Sequence, residues 1–144
     1  MGGEAGRGNL FHMHGVARRR LRMIARSLRI ASKFFGARRD GELAAVGALK
    51  RIGNKKGEIK SMRAADSFRC KGAGEAILLH LIQTARDEGL TWLGLETGRH
   101  EVFEPAQRLY AKHGFAPCDA YADYVLDDFS MCMGMDLEAI SLVA

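Results

Sequence analysis

The chain has 144 residues, a length suited to one compact domain with one hydrophobic core and too short for two ordinary domains. With 47% hydrophobic residues, 27% charged residues and two prolines, the composition excludes a fibrous or disordered protein. The net charge of +5 is unevenly distributed, because residues 1–40 carry +8 and residues 41–144 carry −3. The basic character therefore belongs to the first 40 residues, and it does not indicate a polyanionic partner for the remainder.

The lengths of the apolar runs and the spacing of the cysteines give an expectation for the cellular compartment. No run approaches the roughly 18 apolar residues that a membrane span needs, and no apolar segment follows the early arginines. The three cysteines are odd in number, lie far apart and include no Cys-x-x-Cys pair. We therefore expect free thiols and a cytoplasmic location without a membrane span.

Residues 1–40 contain one periodic segment. From about Val16 to Phe35, apolar residues recur every three or four positions and arginines fill most of the other positions. This pattern predicts an amphipathic basic helix, and no strand is expected in residues 1–40. We accordingly expect residues 1–40 to form a basic leader and residues 41–144 to form the domain itself.

The domain alternates strand and helix signals. Strands are expected at Glu42–Lys50, Glu58–Ala64, Thr91–Thr97, Ala120–Leu126 and Ser130–Leu137, and helices at Glu75–Glu88 and Glu104–His113. A glycine-bounded hairpin turn at residues 53–57 joins the first two strands, and Gly114 follows the second helix in the position typical of a helix end. The order β-β-α-β-α-β-β predicts an α/β protein with a mixed sheet.

A loop with two glycines joins the second strand to the first helix. It reads Arg69, Cys70, Lys71, Gly72, Ala73, Gly74 and Glu75. Glycine lets an anion approach backbone N–H groups closely, and the start of a helix is partly positive. Arg69 and Lys71 add full charges, so the loop is a candidate phosphate cradle. Taken alone, the same residues are also compatible with an ordinary strand–helix turn.

Two familiar nucleotide-binding loops do not match. A P-loop needs Gly-Lys-Ser/Thr, whereas Lys71 precedes both glycines. The dinucleotide-binding fingerprint needs a third glycine where Ile77 stands. What remains is Arg-x-x-Gly-x-Gly between a strand and a long helix.

A second motif, Pro105-Ala-Gln-Arg-Leu109-Tyr110-Ala-Lys-His-Gly114-Phe115, follows the strand Leu93-Gly-Leu-Glu96-Thr. In order and spacing, the loop and this motif resemble the GCN5-related N-acetyltransferase (GNAT) superfamily over about residues 40–137. The resemblance implies a mixed, mostly antiparallel sheet flanked by helices, with splayed central strands. Family members begin with a strand and two helices, so the N-terminal portion of this chain looks atypical or truncated.

The resemblance also implies a co-substrate, acetyl-CoA, and its position. The pantetheine arm would lie along Met62, Arg63 and Ala64, and the pyrophosphate would lie on the loop from Arg69 to Glu75. The implied activity is transfer of an acetyl group to a primary amine of a small molecule or peptide, directly within a ternary complex. No metal is implied.

Three residues are candidates for proton transfer. Tyr110 matches the family tyrosine that protonates the departing thiolate, although a buried core tyrosine would occupy a similar position. Glu96 lies in an otherwise apolar strand, and Glu58 begins the strand opposite. Either carboxylate is a candidate base for the amine proton, and either is compatible with an ion-pair role instead.

Weaker candidates lie elsewhere. Asp123 and Tyr124 stand between the last two strands, where family members form part of the acceptor pocket, and an acidic solvated turn is the alternative. His12 and His14 have the spacing of a metal pair, but we expect no metal there. The cysteines lack a neighbouring base and are not expected to be nucleophiles.

The partners follow from these expectations. We expect a small-molecule or peptide amine acceptor and no nucleic acid, and a homodimer is compatible with the resemblance. The alternative function is a nucleic-acid or anionic-surface binding module that uses the arginine-rich N-terminal helix.

Overall fold

The computed structural model describes residues 11–15, 32–69, 71–121 and 127–138. The strands are β1 (His12–Gly15), β2 (Ser32–Arg39), β3 (Glu42–Gly53), β4 (Lys56–Ala64), β5 (Trp92–Gly98), β6 (Ala116–Cys118) and β7 (Ser130–Asp136). The helices are α1 (Ala73–Asp87) and α2 (Glu104–Lys112), with short 3-10 turns at Asp66–Phe68 and Glu101–Phe103. From residue 41 onward, the order β-β-α-β-α-β-β is the predicted one.

The strands form one sheet in the order β1-β2-β3-β4-β5-β7-β6. The β1–β2, β5–β7 and β6–β7 pairs are antiparallel, and the β4–β5 pair is parallel. The parallel ladder joins Lys56–Ile59 to Trp92–Leu95 and ends there, although β4 continues to Ala64 and β5 to Gly98. The mixed, mostly antiparallel sheet with splayed central strands is therefore confirmed.

The strands within residues 1–40 correct one expectation. β1 pairs with β2 from His12–Arg38 to Gly15–Phe35, so residues 32–35 are strand and not the end of a helix. The physical reason is tertiary pairing: a β-carbon on Gly36 would meet the His14 ring, and this close approach outweighs the helical spacing of the apolar residues. The rest of the predicted helix, residues 16–31, lies outside the described residues. The functional division at residue 40 stays a prediction.

The C-terminal strands differ from expectation in one place. We expected a strand at Ala120–Leu126, but β7 pairs with Ala116–Cys118, which follow directly after α2 and Phe115. Ala120 and Tyr121 are not in a strand, and residues 122–126 lie outside the described part. Strand propensity predicted the wrong segment, because Ala116–Cys118 is short and contains Pro117. A sheet tolerates proline only at an edge. β6 is indeed the last strand of the sheet.

The chain groups into two compact units. The first combines Met1–Ala48 with Ser61–Leu81, and the second combines Leu49–Lys60 with Ile82–Ala144. In the first unit, one cluster of buried side chains contains Phe11, Ala37, Ala44, Ala45, Phe68, Ala73 and Ile77. In the second unit, Ile59, Leu93, Leu95, Met133 and Met135 are among the buried side chains.

The helix α1 owes its position to one apolar stripe. Ile77, Leu78 and Leu81 are fully buried, whereas the neighbouring Leu79 is 45% exposed. A β-carbon on Gly47 would lie 2.9 Å from a Leu81 methyl group, so the glycine lets helix and strand approach closely. Neither described helix is long and apolar enough to cross a membrane.

Candidate active site

Arg69 and Lys71, the two basic residues of the loop after β4, make contacts within the loop. The backbone N–H of Arg69 donates to Asp66 O and that of Lys71 to Phe68 O, which closes two tight turns. The Arg69 guanidinium lies 3.3 Å from the Asp66 carboxylate, and Lys71 Nζ lies 6.0 Å from the centroid of the Phe68 ring. Both cations are exposed beside the start of α1, as the sequence predicted, and Cys70 lies outside the described residues.

The first turn of α1 places backbone N–H donors at the N-terminus of the helix. The hydrogen bond from Ala76 N to Gly72 O closes this turn, so the N–H groups of Ala73 and Gly74 lie at the open end of the helix. Gly72 has φ +86°, a conformation that favours glycine, and a β-carbon on Gly74 would meet no atom within 4 Å. The open space over Gly74 and these donors fit a pyrophosphate, and any side chain at position 74 would intrude on it.

The strand before the loop is irregular. Ser61 has φ +56°, a left-handed conformation that interrupts β4, and Met62 packs against the core of the first unit. Arg63 and Ala64, together with residues 43–46 of β3 and Ala65, line a cavity of about 180 Å³. The lining is almost wholly apolar, so the predicted pantetheine segment borders on a surface suited to an uncharged chain.

In the second unit, two carboxylates share one face of the sheet. Glu58 pairs with Gly94 in the β4–β5 ladder, and Glu96 follows Gly94 on the same face of β5. Glu58 is only 1% exposed. Its Oε1 lies 3.3 Å from Lys60 Nζ, and its buried Oε2 has no hydrogen-bond partner among the described residues. The structure therefore brings the two candidate bases together and adds Lys60.

The pKa of the Glu96 carboxylate is shifted by its surroundings. Its side chain reaches solvent, yet partial burial of the carboxylate raises its pKa, and the negative charges of Glu58 and then Asp127 act in the same direction. The Lys60 ammonium opposes these effects and lowers the pKa of Glu96. A carboxylate whose pKa lies nearer to neutrality is a better proton acceptor for general-base chemistry.

Tyr110 lies on the less exposed face of α2. Proline in the first turn starts this helix, His113 caps it, and Gly114 with φ +103° ends it as predicted. The Tyr110 ring packs edge-on against Phe115 at 6.0 Å between centroids. Burial raises the pKa of the Tyr110 hydroxyl, so the phenol keeps its proton throughout the physiological range.

The predicted acceptor residues Asp123 and Tyr124 lie outside the described residues. The acidic turn beside them has a structural role, because Asp127 Oδ1 accepts the backbone N–H groups of Phe129 and Ser130 at 2.8 and 2.7 Å. These hydrogen bonds lower the pKa of Asp127. Arg99 Nε donates to Asp127 O and Ser130 O and fixes the same turn.

The sequence reasoning missed three residues at this face: Lys60, Trp92 and Tyr121. The period-2 alternation of β4 could have placed Lys60 beside Glu58, since residues two apart share a face. The Trp92 and Tyr121 rings meet edge-on at 5.1 Å. They lie over Gly94, because a β-carbon there would contact both rings. No local sequence signal indicates that contact.

The other weaker candidates from the sequence are a histidine pair and the cysteines. His14 Nε2 accepts a hydrogen bond from Arg38 Nε at 3.1 Å. Within the described ranges, no three His, Cys, Asp or Glu side chains are grouped as a metal site would require. Cys118 and Cys132 are cross-strand partners, and burial raises the pKa of both thiols, which makes them poor nucleophiles.

Known proteins match this chain along most of its length. The family model of the acetyltransferase (GNAT) family matches residues 10–115. The N-acetyltransferase YedL of Escherichia coli K12, itself uncharacterized, is 45% identical over 96 residues, covering 67% of this chain and 60% of YedL. The uncharacterized N-acetyltransferase YsnE of Bacillus subtilis 168 is 44% identical over 100 residues, covering 69% of this chain and 66% of YsnE. The chain thus spans just under two thirds of the length of these relatives.

Solved structures share the fold. A Bacillus subtilis acetyltransferase in complex with CoA superimposes with a TM-score of 0.72 at 17% identity, covering 88% of this chain and 98% of that one. At this identity the likeness concerns the fold alone. The family-model match and the identity with both relatives show that the chain belongs to the GNAT family of acetyltransferases.

Proposed function

We propose that the chain transfers an acetyl group from acetyl-CoA to a primary amine of a small molecule or peptide, directly within a ternary complex. The observation that carries the proposal is the start of α1, where the helix N-terminus and the open space over Gly74 match a pyrophosphate. Family membership supports the same co-substrate. A cytoplasmic location and homodimer formation stay predictions.

The residues that would hold acetyl-CoA follow from this placement. The N–H groups of residues 73–75 and the charges of Arg69 and Lys71 would bind the pyrophosphate, and the strand from Met62 to Ala64 would bind the pantetheine arm. Bound acetyl-CoA supplies an activated thioester. Among the loop residues, the N–H groups of Arg69 and Lys71 already donate within the chain, so these two contribute through their side chains.

The proton path uses residues of the second unit. In the proposed reaction the amine nitrogen attacks the thioester carbonyl, a C–N bond forms and the C–S bond breaks. Glu96, whose raised pKa suits a base, takes the proton that the amine loses. Tyr110, whose raised pKa keeps the phenol protonated, donates a proton to the departing thiolate. Glu58 contacts the amine before transfer.

Acetyl-CoA binding is testable separately from turnover. We expect acetyl-CoA at saturating concentration to raise the melting temperature of the wild-type chain, since a ligand that binds only the folded state stabilises it. The Gly74→Glu variant should lose this shift. An equal shift in both proteins would remove the α1 N-terminus from the binding site.

A further inference from the structure

The buried carboxylate Glu58 has one oxygen that no described residue satisfies. The side chain is 1% exposed, Oε1 is paired with Lys60, and Oε2 has no hydrogen-bond partner among the described residues. An unpaired buried carboxylate oxygen is costly, so it persists where a donor arrives with a ligand. The donor that suits a carboxylate best is a cation.

Aromatic rings lie over the glycine that pairs with Glu58 across the sheet. Gly94 is the ladder partner of Glu58, and a β-carbon built on Gly94 would contact the indole of Trp92 and lie 2.9 Å from the ring of Tyr121. A β-carbon on Gly134, the next residue across the sheet, would lie 2.6 Å from the same indole. The two glycines therefore make room for aromatic rings beside Glu58. A carboxylate next to aromatic rings is a combination that binds ammonium groups.

The charges around Glu58 are unfavourable for a carboxylate group on the acceptor. Glu96 stands two residues from Gly94 on the same face, and its carboxylate is affected by the negative charges of Glu58 and Asp127 and by the positive charge of Lys60. Lys60 is itself paired with Glu58. Lys56 Nζ lies 5.8 Å from the centroid of the Trp92 ring and adds a second ammonium to this face. The three carboxylates Glu58, Glu96 and Asp127 still outnumber the two lysines, so an acceptor carrying its own carboxylate beside the amine would be disfavoured.

We propose that Glu58, Trp92 and Tyr121 form the subsite for the ammonium group of the acceptor, and that the acceptors are primary alkylamines without a carboxylate on the amine-bearing carbon. This inference rests on the proposed acetyl transfer and names its substrate class. Glu58 holds the ammonium and the rings flank it. Glu96 takes one proton from the ammonium and releases it to solvent, which leaves a neutral amine. As the C–N bond forms, the nitrogen loses a second proton to Glu96, and Tyr110 protonates the thiolate that leaves when the C–S bond breaks.

The first test compares acceptors that differ only in one carboxylate. The pairs are phenethylamine with L-phenylalanine and butane-1,4-diamine with L-ornithine, assayed by thiol release from acetyl-CoA. We expect kcat/KM to be at least about tenfold higher for the amine of each pair, since like-charge contacts cost more than 1.4 kcal/mol. Equal or faster turnover of the amino acids would overturn the proposal.

The second test measures binding without turnover. Trp92 is the single tryptophan of the chain, so its fluorescence reports on this subsite. Without acetyl-CoA, butane-1,4-diamine should change the emission at concentrations at least about tenfold lower than L-ornithine does. Glu58→Gln should abolish the response, whereas the matched control Glu101→Gln, an exposed glutamate in the same unit, should retain it. An unchanged response in Glu58→Gln would refute the subsite.

The third test addresses the rings. Trp92→Leu and Tyr121→Leu should each raise KM for the amine about fivefold without changing KM for acetyl-CoA, and Trp92→Phe and Tyr121→Phe should have smaller effects because a ring remains. An unchanged acetyl-CoA KM also shows that each variant folds. Equal amine KM values in the Leu and Phe variants would exclude the rings from the subsite.

The outcomes separate this inference from the proposed function. A fluorescence response to the diamine without thiol release from any acceptor would support the ammonium subsite and refute the acetyl transfer. Thiol release with amino acids and no response to amines would refute the subsite and leave the acetyl transfer intact.

Discussion

At the scale of single residues, environment separates the two glutamates. Glu58 is buried and paired with Lys60, whereas Glu96 stands where its carboxylate meets solvent and its pKa is raised. In the proposed reaction, two acids of the same chemical type therefore take different roles, Glu58 in binding and Glu96 in proton transfer. Proton release to solvent requires the accessible carboxylate, which is Glu96.

Glu96→Gln removes the proposed base with little change in shape. We predict a fall in kcat/KM of about a hundredfold, the typical contribution of a general base. The wild-type profile should lose activity as pH falls through the raised pKa of Glu96, because the protonated acid cannot accept the amine proton. Measuring kcat/KM against pH checks this, and an identical acidic limb in the variant would contradict it.

Lys60 provides an independent test of the same charges. Its ammonium lowers the pKa of Glu96, against the raising effects of Glu58 and Asp127. Replacing it by methionine should therefore raise the pKa of Glu96 further and move the acidic limb of the pH profile to higher pH. Lys60→Arg keeps the positive charge, so the acidic limb of its pH profile should lie close to that of the wild type. A profile unmoved by Lys60→Met would show that the lysine is only structural.

Tyr110→Phe tests the proposed acid. Only the hydroxyl is lost and the ring can still pack on Phe115, so the melting temperature should stay close to that of the wild type. We predict a fall in kcat of about a hundredfold with KM nearly unchanged, as expected for a group that acts on the leaving thiolate. Steady-state kinetics of the wild type and of Tyr110→Phe measure both constants. Turnover at the wild-type rate would leave Tyr110 as a core side chain.

At the scale of elements, α1 combines a candidate binding site with a buried face. Its first turn carries backbone N–H donors at the helix N-terminus, and its next turns bury an apolar stripe beginning at Ile77. The donors and the stripe are separable because they occupy different parts of the helix. Substitutions at the start should therefore affect ligand binding, and substitutions in the stripe should affect stability.

Gly74→Glu is predicted to change binding and stability in opposite directions. Nothing lies within 4 Å of the added β-carbon, glutamate is a better helix former than glycine, and an acid is favourable in the first turn. The melting temperature of the free protein should be equal or higher. The Kd for acetyl-CoA, measured by calorimetry, should rise about a hundredfold through repulsion of the pyrophosphate.

Gly74→Ala is the matched control for this variant. It adds the β-carbon without the charge and should raise the Kd much less. If Gly74→Glu instead lowered the melting temperature and bound acetyl-CoA normally, the first turn of α1 would have a structural role only.

The stripe of α1 offers a pair of adjacent leucines. Leu78 is fully buried and Leu79 is 45% exposed. We predict that Leu78→Ala lowers the free energy of unfolding by about 3 kcal/mol and Leu79→Ala by less than about 1 kcal/mol. Urea denaturation of the two variants measures both values. A comparable loss from each would mean that the stripe is not the face that α1 buries.

At the scale of the whole molecule, local chemistry explains which features could be predicted from sequence. The turn glycines, Gly114 at the end of α2 and the apolar spacing of α1 act locally, so most element positions from residue 41 to residue 115 were predictable. The pairing of β1 with β2 joins residues 20 to 26 positions apart. Local propensity carries no information about such a pairing. The helical spacing of the apolar residues up to Phe35 therefore led to a wrong prediction of helix at that position.

The same distinction applies to the candidate site. The glycines of the loop and Glu96 are recognisable because each is an unusual residue type at its position, and Tyr110 is recognisable from its place in the second motif. The pairing of Lys60 with Glu58 and the rings over Gly94 depend on strand register and on side-chain direction across strands. Those contacts decide the charge and shape of the acceptor face, and they become visible only in three dimensions.

The most direct test of the central claim is thiol release from acetyl-CoA by the purified wild-type chain, measured with and without butane-1,4-diamine. The account predicts release that depends on the amine, with one acetyl group gained by the diamine for each thiol freed. Release at the same rate in the presence and absence of amine, by a chain that binds acetyl-CoA, would contradict it.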